Sequence, residues 1–260
     1  MEQLSALLFE LSNEDRLRIL LKLKETPLKL SNLAQTLDFT VQETSRNVSR
    51  LSSKHLIQRE RNGTFQLTPY GEQALLLLPG FEFLANHPEY LTTHTLSRLP
   101  HPYVSRIGDL VHSKYQDDVM LTFYEAEMMM QRSQEFLWLI SDQHLVSSTP
   151  HLTHALQRGV QIRIILPIDL AYPTGYFELE PVKELEKITP AAIRSGLYKE
   201  RRVESVNTCM GIAENTMGRI FFPTLSGDFD YKGFTVTDHL GHTFCKDLFT
   251  YYWNQADSAL

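Results

Sequence analysis

The sequence predicts an α+β domain at the amino terminus followed by an α/β domain. Residues 1–80 contain leucines at helical spacing and then a short hairpin pattern. From residue 119 to residue 260, short apolar strands alternate with helices. Residues 81–118 lie between these regions and consist of short helical stretches interrupted by prolines, so we expect a helical linker or dimerisation region there. A length of 260 residues is sufficient for two hydrophobic cores.

The composition is that of an ordinary globular protein. Hydrophobic residues make up 42% of the chain and charged residues 22%, which is not typical of disorder. The two cysteines, Cys209 and Cys245, are too few for a disulfide framework and indicate a reducing compartment. The longest apolar run, near Leu75, is far shorter than the roughly 20 residues of a membrane span. The amino terminus also lacks signal-peptide features, so we expect a cytoplasmic protein with no membrane partner.

The first helices follow from leucine spacing and from start and stop signals. Ser12 and Asp15 fit a capping box before the second helical stretch, and Pro27 stops that helix. The apolar positions recur every three or four residues: Leu4, Leu7, Leu8, Leu11, Leu17, Leu20, Leu21, Leu30, Leu33, Ala34 and Leu37.

A further helix is predicted from Thr40 to about Leu56, with Thr40 and Glu43 as its capping box. We expect one face of it to be buried and to include Val41, Val48, Leu51 and His55. The opposite face carries polar side chains, namely Gln42, Arg46, Ser49, Arg50 and Ser53.

A hairpin and a capped helix follow. Two β-prone runs flank Asn62-Gly63, which favours a type I′ turn with positive φ at both residues. Arg59 and Arg61 are two positions apart, so we expect them on one face of the first strand. Thr68 then caps a helix that begins with proline.

Cations are concentrated in this part of an acidic chain. The net charge is -6 at pH 7, but residues 40–61 hold five Lys or Arg and two Asp or Glu. Such a local excess is typical of a nucleic-acid-binding segment attached to a domain that does not bind nucleic acid. Charge alone favours the alternative, a charged helix whose polar face is simply solvated.

The ordered set of helices, hairpin and capped helix resembles the winged-helix transcription regulators. The resemblance implies that the helix after Thr40 enters the major groove of double-stranded operator DNA and that the hairpin contacts the backbone. It also implies a homodimer, which matches the two-fold symmetry of an operator. The residues expected to contact DNA are Gln42, Arg46, Asn47, Arg50, Lys54, Arg59 and Arg61.

Two features near the middle of the chain remain open. A leucine-rich set either forms a dimer interface or packs against the next domain: Leu75, Leu76, Leu78, Phe81 and Leu84. His112 and Lys114 begin a pattern similar to the phospholipase-D-type His-x-Lys-x4-Asp signature, but Val119 stands where the aspartate is required. We therefore expect no catalytic residue in this stretch.

The β-α-β order after Val119 predicts a parallel sheet with helices layered on it. The expected strands are 136–141, 160–167, 201–206, 208–214, 218–223 and 233–238, and the last helix is 240–256.

This second half resembles archaeal regulators that carry the FilR-type methanogenesis-regulator domain. The matching stretches are NHPEYLTTHTLSRLP, the Gly159-Val160 step and VTDHLGHTFCKDLFTYYWNQA. The resemblance implies a phospholipase-D-like α/β core that senses an unknown small-molecule effector without a cofactor. When the catalytic motif of such a core is placed on this chain, its His, Lys and Asp fall on Asn207, Cys209 and Glu214. Catalysis is therefore not expected.

Polar residues at strand ends are the expected effector site, because open α/β sheets bind ligands there. They are Ser141, Asp142, Asp169, Asn207 and Glu214, each of which could instead be a helix cap or a turn residue. The predicted function is a ligand-sensing transcription regulator. A phosphodiesterase or nuclease targeted by the DNA-binding domain, or a protein-interaction module, is the alternative. The sequence leaves open the effector, the operator and the sign of regulation.

Overall fold

The computed structural model describes residues 1–215 and 217–258 and divides the chain into two compact units, Met1–Phe81 and Glu82–Leu260. The fold is mixed α and β, with one large mixed sheet in the second unit. The expected separate region 81–118 is corrected. Phe83, Tyr90 and Leu110 are buried in the core of the second unit, and a strand from this region joins its sheet.

The first unit consists of helices around a two-stranded antiparallel hairpin. Its elements are α1 (Glu2–Leu11), α2 (Glu14–Glu25), α3 (Leu30–Leu37), α4 (Val41–Ser53), β1 (Ile57–Arg59), β2 (Phe65–Leu67), α5 (Pro69–Leu76) and the start of α6 (Leu78–Asn86). Apolar side chains from α2, α3 and α4, among them Leu20, Leu33 and Leu51, are fully buried together in one core. The leucine spacing therefore predicted most of this core, although Leu4, Leu8 and Leu21 of the predicted set are exposed.

Side-chain caps fix the starts of α2, α4 and α5 in the first unit. The capping box at α4 is confirmed, since Glu43 N donates to Thr40 Oγ1 at 3.2 Å and Thr40 N donates to Glu43 Oε2 at 3.1 Å. The box expected at Ser12 is wrong. Asn13 caps α2 by accepting from Arg16 N at 3.1 Å, and the Ser12 hydroxyl donates to a carbonyl of α1.

The hairpin is present, but its turn differs from the expected type I′. Gly63 has a φ of 83°, whereas Asn62 does not have a positive φ. Gly63 N donates to Glu60 O at 2.9 Å and Glu60 N donates to Thr64 O at 2.8 Å. This is a three-residue loop that ends in a left-handed glycine. Arg61 consequently lies in the turn and does not share a strand face with Arg59.

A buried carboxylate joins three helices of the first unit. Glu10 on α1 is 1% exposed, and its Oε2 lies 2.9 Å from Arg16 Nε and 2.8 Å from Arg50 Nε. Arg16 is also buried and donates to the Phe9 carbonyl at 2.7 Å. Because a buried charge without a partner is destabilising, this network fixes α1 against α2 and α4.

The second unit is built on strands and helices that alternate for most of its length. Its further elements are α7 (Pro88–Thr93), α8 (His101–Ser105), β3 (Lys114–Gln116), α9 (Val119–Arg132), β4 (Phe136–Ile140), α10 (Thr149–Gln157), β5 (Gln161–Pro167), α11 (Glu180–Arg194), β6 (Tyr198–Val203), β7 (Cys209–Ala213), β8 (Gly218–Phe221), β9 (Gly233–Val236), α12 (His239–Gln255) and β10 (Asp257–Ser258). None of the helices in the described part of the chain has the length and apolar character that crossing a membrane requires.

The strands form a mixed sheet in the order β10-β6-β5-β4-β7-β8-β9-β3. Only β4, β5 and β6 pair in parallel among the described strands, and the other pairs are antiparallel. The expected parallel sheet is therefore corrected. A strand can run parallel to the preceding one only after a long crossover connection. The segments between β6 and β7 and between β7 and β8 are short, so the chain reverses direction at each of them.

Helices cover both faces of this sheet. Ile140, Met210 and Ile220 pack on one face with the buried side of α12. On the other face, Leu139 packs with buried side chains of α9, α10 and α11, including Met129. Alternate residues of β4 thus point into two different cores, as the pleat of a strand requires.

Glu10→Ala is expected to destabilise the first unit by about 3–5 kcal/mol, because Arg16 then remains buried without its anion. Urea unfolding followed by circular dichroism measures the change. Glu14→Ala removes an exposed carboxylate of α2 and should alter stability by no more than about 0.5 kcal/mol. A loss below about 1 kcal/mol for Glu10→Ala would contradict the assigned role of the buried network.

A second prediction concerns acid stability. His242 on α12 is buried, its Nε2–H donates to the Ala213 carbonyl at 2.7 Å, and burial lowers its pKa. The unfolded chain therefore takes up a proton first, at about pH 6.5, and the stability from the neutral ring is lost as the pH falls below that value. His242→Gln should reduce the drop in melting temperature between neutral and acidic pH, whereas exposed His101→Gln should not. An unchanged drop in His242→Gln would refute this.

Candidate functional site

The orientation of α4 decides which of its side chains are accessible. Its buried residues are Thr44, Asn47, Val48 and Leu51, whereas Val41 is 60% exposed. The expected buried face is confirmed at Val48 and Leu51 and is wrong at Val41 and His55, which are exposed. The buried Thr44 hydroxyl is satisfied because it donates to the Thr40 carbonyl at 2.9 Å.

This orientation separates the residues of α4 that were expected to contact DNA. Gln42, Arg46 and Lys54 are exposed. Asn47 is only 6% exposed, so the prediction that it contacts DNA is corrected: its amide lies on the core side of the helix.

Arg50 is exposed but is engaged by the protein itself. Its Nε lies 3.0 and 2.8 Å from the two carboxylate oxygens of buried Glu10, and its Cζ lies 4.9 Å from the Phe9 ring centroid. The hydrogen bond to Glu10 raises the pKa of the Arg50 guanidinium. Arg50 shares the Glu10 carboxylate with Arg16, and its Nε is held there, so its side chain is less free than that of Arg46 to bind an external anion.

The hairpin lies beside α4 and adds two exposed cations, Arg59 and Arg61. A groove runs between α3, α4 and the hairpin. The polar residues that line it include Lys29, Ser45, Ser49, Ser52, Arg59 and Asn62. We define the basic surface as this groove together with Gln42, Arg46 and Arg61.

Several members of the basic surface were not predicted from the sequence, among them Lys29, Ser31, Ser45 and Ser52. Ser45, Ser49 and Ser52 recur at helical spacing, which places them on the same side of α4. That spacing was the signal that could have identified them.

In the second unit, four of the five expected effector-binding residues follow or precede strands at one edge of the sheet. Ser141 and Asp142 come after β4, and Asp169 comes after its parallel neighbour β5. Asn207 precedes β7, which runs antiparallel to β4 and so begins at the same edge. Asp169 is exposed, whereas Ser141 and Asp142 are half-buried.

Glu214 is corrected as a member of this site, because it follows β7 and lies at the opposite edge of the sheet. Its side chain is 7% exposed. It accepts hydrogen bonds from Gln134 N at 2.5 Å and Phe136 N at 3.3 Å. Glu214 therefore satisfies backbone donors at the start of β4.

Asp142 is part of a hydrogen-bonded cluster at the predicted site. It accepts from Tyr231 Oη at 2.7 Å and from Cys209 Sγ at 3.4 Å, and Gln143 Nε2 donates to the same tyrosine hydroxyl. Burial, reinforced by the Asp142 carboxylate, raises the pKa of both Tyr231 and Cys209. The Cys209 thiol is therefore protonated at neutral pH and is a poor nucleophile.

A cavity of about 110 Å³ adjoins this cluster, between α9 and the sheet face formed by β4, β7 and β8. Apolar side chains make up most of its wall, and Ser141, Cys209 and Tyr231 contribute polar atoms. Gly211 also lines it, and a Cβ at this position would lie 2.8 Å from Met129 Cε. The end of the flexible Met129 side chain thus occupies the space above Gly211. In the described ranges, no three His, Cys, Asp or Glu side chains lie together as a metal site would need.

No family model and no curated protein matches this sequence, so the FilR-type resemblance stays a prediction. Among solved structures, the chain is similar to TrmBL2, an archaeal chromatin protein described with a novel mode of DNA binding, at 15% identity and a TM-score of 0.43. That match covers 95% of this chain and 94% of that chain.

Two further solved structures match 56% of this chain. NucT from Helicobacter pylori is 6% identical, with 96% of that chain covered and a TM-score of 0.41. Nuc from Salmonella typhimurium, a phospholipase D family member, is 10% identical, with 95% of that chain covered and a TM-score of 0.37. At these low scores, none of the three similarities supports an argument about function.

Proposed function

We propose that this protein is a DNA-binding transcription regulator. In this proposal the first unit is a winged-helix domain that binds double-stranded operator DNA, and the second unit senses a small molecule without transforming it. The observation that carries the proposal is the basic surface, in which Gln42 and Arg46 on α4 lie on the same side of the unit as a groove bordered by Arg59.

The geometry of α4 suits the major groove. The helix has 13 residues, its amino-terminal cap is complete, and its outward side chains are polar or cationic. Glu43 at its start is held by the Thr40 hydroxyl, which lowers the pKa of that carboxyl and engages the negative charge within the cap. Arginine and glutamine are side chains that read guanine and adenine edges in the major groove.

The hairpin suits contact with the DNA backbone. Arg59 and Arg61 are exposed, and Arg59 Cζ lies 5.8 Å from the Phe65 ring centroid, which orients the side chain without neutralising it. Lysine and arginine at such positions bind phosphate and release counterions, a contribution that does not depend on base sequence.

The proposal of a sensor without catalysis rests on the chemistry of the second unit. Asn207 and Cys209 occupy the positions where the motif placement requires a nucleophile and a cation, and the thiol of Cys209 is buried. An apolar cavity with a few polar groups is the usual form of a small-molecule site. Hydrolysis of a generic phosphodiester by the purified protein would contradict this part of the proposal.

Arg46→Ala should weaken operator binding by about 1–3 kcal/mol and relax base specificity, because it removes a side chain that reaches base edges. Replacing Arg59 and Arg61 with alanine should weaken operator and mixed-sequence DNA alike and reduce the salt dependence by about one phosphate contact per residue. Fluorescence anisotropy on a duplex selected from a random pool measures both effects.

Lys24→Ala is the matched control for these variants. Lys24 is an exposed cation on α2 and is not part of the basic surface, so its removal should leave DNA affinity nearly unchanged. Wild-type DNA affinity after replacement of Arg46 and after replacement of Arg59 and Arg61 would refute the assignment of the interface. An equal loss of affinity in Lys24→Ala would refute it as well.

We also propose a homodimer, on the basis of exposed apolar side chains near the junction of α5 and α6. Leu76, Leu77 and Phe81 are 61%, 73% and 59% exposed, whereas Leu75 is buried in the first unit and is withdrawn from the expected dimer set. Exposed apolar clusters of this kind mark interaction surfaces. Light scattering should give twice the chain mass of 30.0 kDa, and Leu77→Glu with Phe81→Glu should shift it toward the monomer. A molar mass of one chain for the unaltered protein would contradict the proposed homodimer.

A further inference from the structure

Arg219 is a buried cation in the wall of the cavity beneath α9. It lies on β8, is 3% exposed, and points to the sheet face that α9 covers, where its Nη1 lies 2.8 Å from Glu125 Oε2. Glu125 is 37% exposed, so this carboxylate is partly in solvent while the guanidinium is not. A guanidinium keeps its positive charge in proteins, so the cavity contains a cation at neutral pH.

The remaining donors of Arg219 are not satisfied. Nε and Nη2 are buried and have no hydrogen-bond partner among the described residues. These two nitrogens form the side edge of the guanidinium, whose parallel N–H bonds match the two oxygens of a carboxylate. Thr122 Oγ1, on α9, is a further buried polar atom without a partner in the described residues, and Thr122 lines the same cavity.

Leaving such groups unpaired is costly. An unsatisfied buried donor destabilises a protein by about 1–3 kcal/mol, and by more when the group is charged. Arg219 and Thr122 both line this cavity, and each has a buried polar atom without a partner among the described residues. A molecule that enters the cavity could therefore pair with them once their side chains adjust.

The rest of the cavity wall is largely apolar and therefore favours an apolar ligand. Phe123, Ala126 and Met129 contribute from α9, and Leu139 and Phe221 contribute from the sheet. The volume of about 110 Å³ is smaller than that of an engineered cavity of about 150 Å³ that binds benzene. The apolar body can therefore be no larger than a small ring or a short branched chain, and a sugar or a nucleotide is too polar and too large.

We propose that this cavity binds a small apolar monocarboxylate, with its carboxylate on the Nε–Nη2 edge of Arg219 and beside the Thr122 hydroxyl. The inference deepens the proposed sensor role by naming the class of ligand and rests on that role only for its regulatory meaning. One negative charge is favoured over two, because Glu125 already balances part of the Arg219 charge and Asp142 lies in the adjoining cluster.

The test uses the full chain and isothermal titration with benzoate and its neutral analogue benzamide. Benzoate should bind about tenfold or more tightly than benzamide, as expected for hydrogen bonds to a charged group. Arg219→Met should abolish this preference, and Arg219→Lys should reduce it, because lysine lacks the paired N–H edge. Arg194→Met alters an exposed arginine of α11 and should leave the preference unchanged.

Glu125→Gln is expected to increase the affinity for benzoate, a result that a misfolded variant could not give. It removes the carboxylate that competes for the Arg219 guanidinium, so benzoate should bind several-fold more tightly than to the unaltered chain. Absence of benzoate binding, equal binding of benzoate and benzamide, or no gain in Glu125→Gln would each overturn the inference.

DNA is absent from these titrations, so the inference and the proposed function can fail separately. If benzoate binds at Arg219 while the chain retains no DNA, the carboxylate site stands and the regulator proposal falls. If the chain binds DNA but no arm of the benzoate titration gives the expected result, the carboxylate site falls alone.

Discussion

The need to match buried charge governs the parts of this fold that bear on function. In the first unit, the enclosed carboxylate of Glu10 requires both Arg16 and Arg50, and this requirement fixes α1 against α2 and α4. The orientation of α4 follows, and it directs Arg46 outward while Arg50 is engaged. In the second unit, the enclosed guanidinium of Arg219 is matched on one side only, by Glu125. One network therefore orients a helix of the basic surface, and the other leaves two donors of a buried cation unpaired among the described residues.

Much of the fold could be predicted from local patterns. The helix at Thr40 and the hairpin at Asn62-Gly63 depend on residues a few positions apart, and both are present. The turn type and the mixed sheet could not be predicted in the same way. They depend on how the hairpin closes and on a short connection that returns β7 antiparallel to β4. The strand β3 was missed because its three residues lie in a stretch considered only for a catalytic motif.

The candidate sites were less accessible to sequence reasoning, because they depend on contacts between distant residues. Helical periodicity placed Arg46 and Arg50 together on the polar face, but it could not indicate that Glu10, forty residues earlier, engages one of them. It also could not show that Asn47 faces the core. Arg219 had a local signal that was not used, namely a charged residue within an otherwise apolar strand. Charged residues are rarely fully buried unless they are paired, so this position warranted a search for its partner.

Amide hydrogen exchange on the full chain, with and without duplex DNA, tests the central proposal most directly, because it reports which backbone segments DNA protects. The account predicts that DNA slows exchange in α4 and in the loop between β1 and β2, where the basic surface lies, and that high salt removes this protection. Protection confined to other segments, or no protection at low salt, would contradict the proposal that α4 and the hairpin bind DNA.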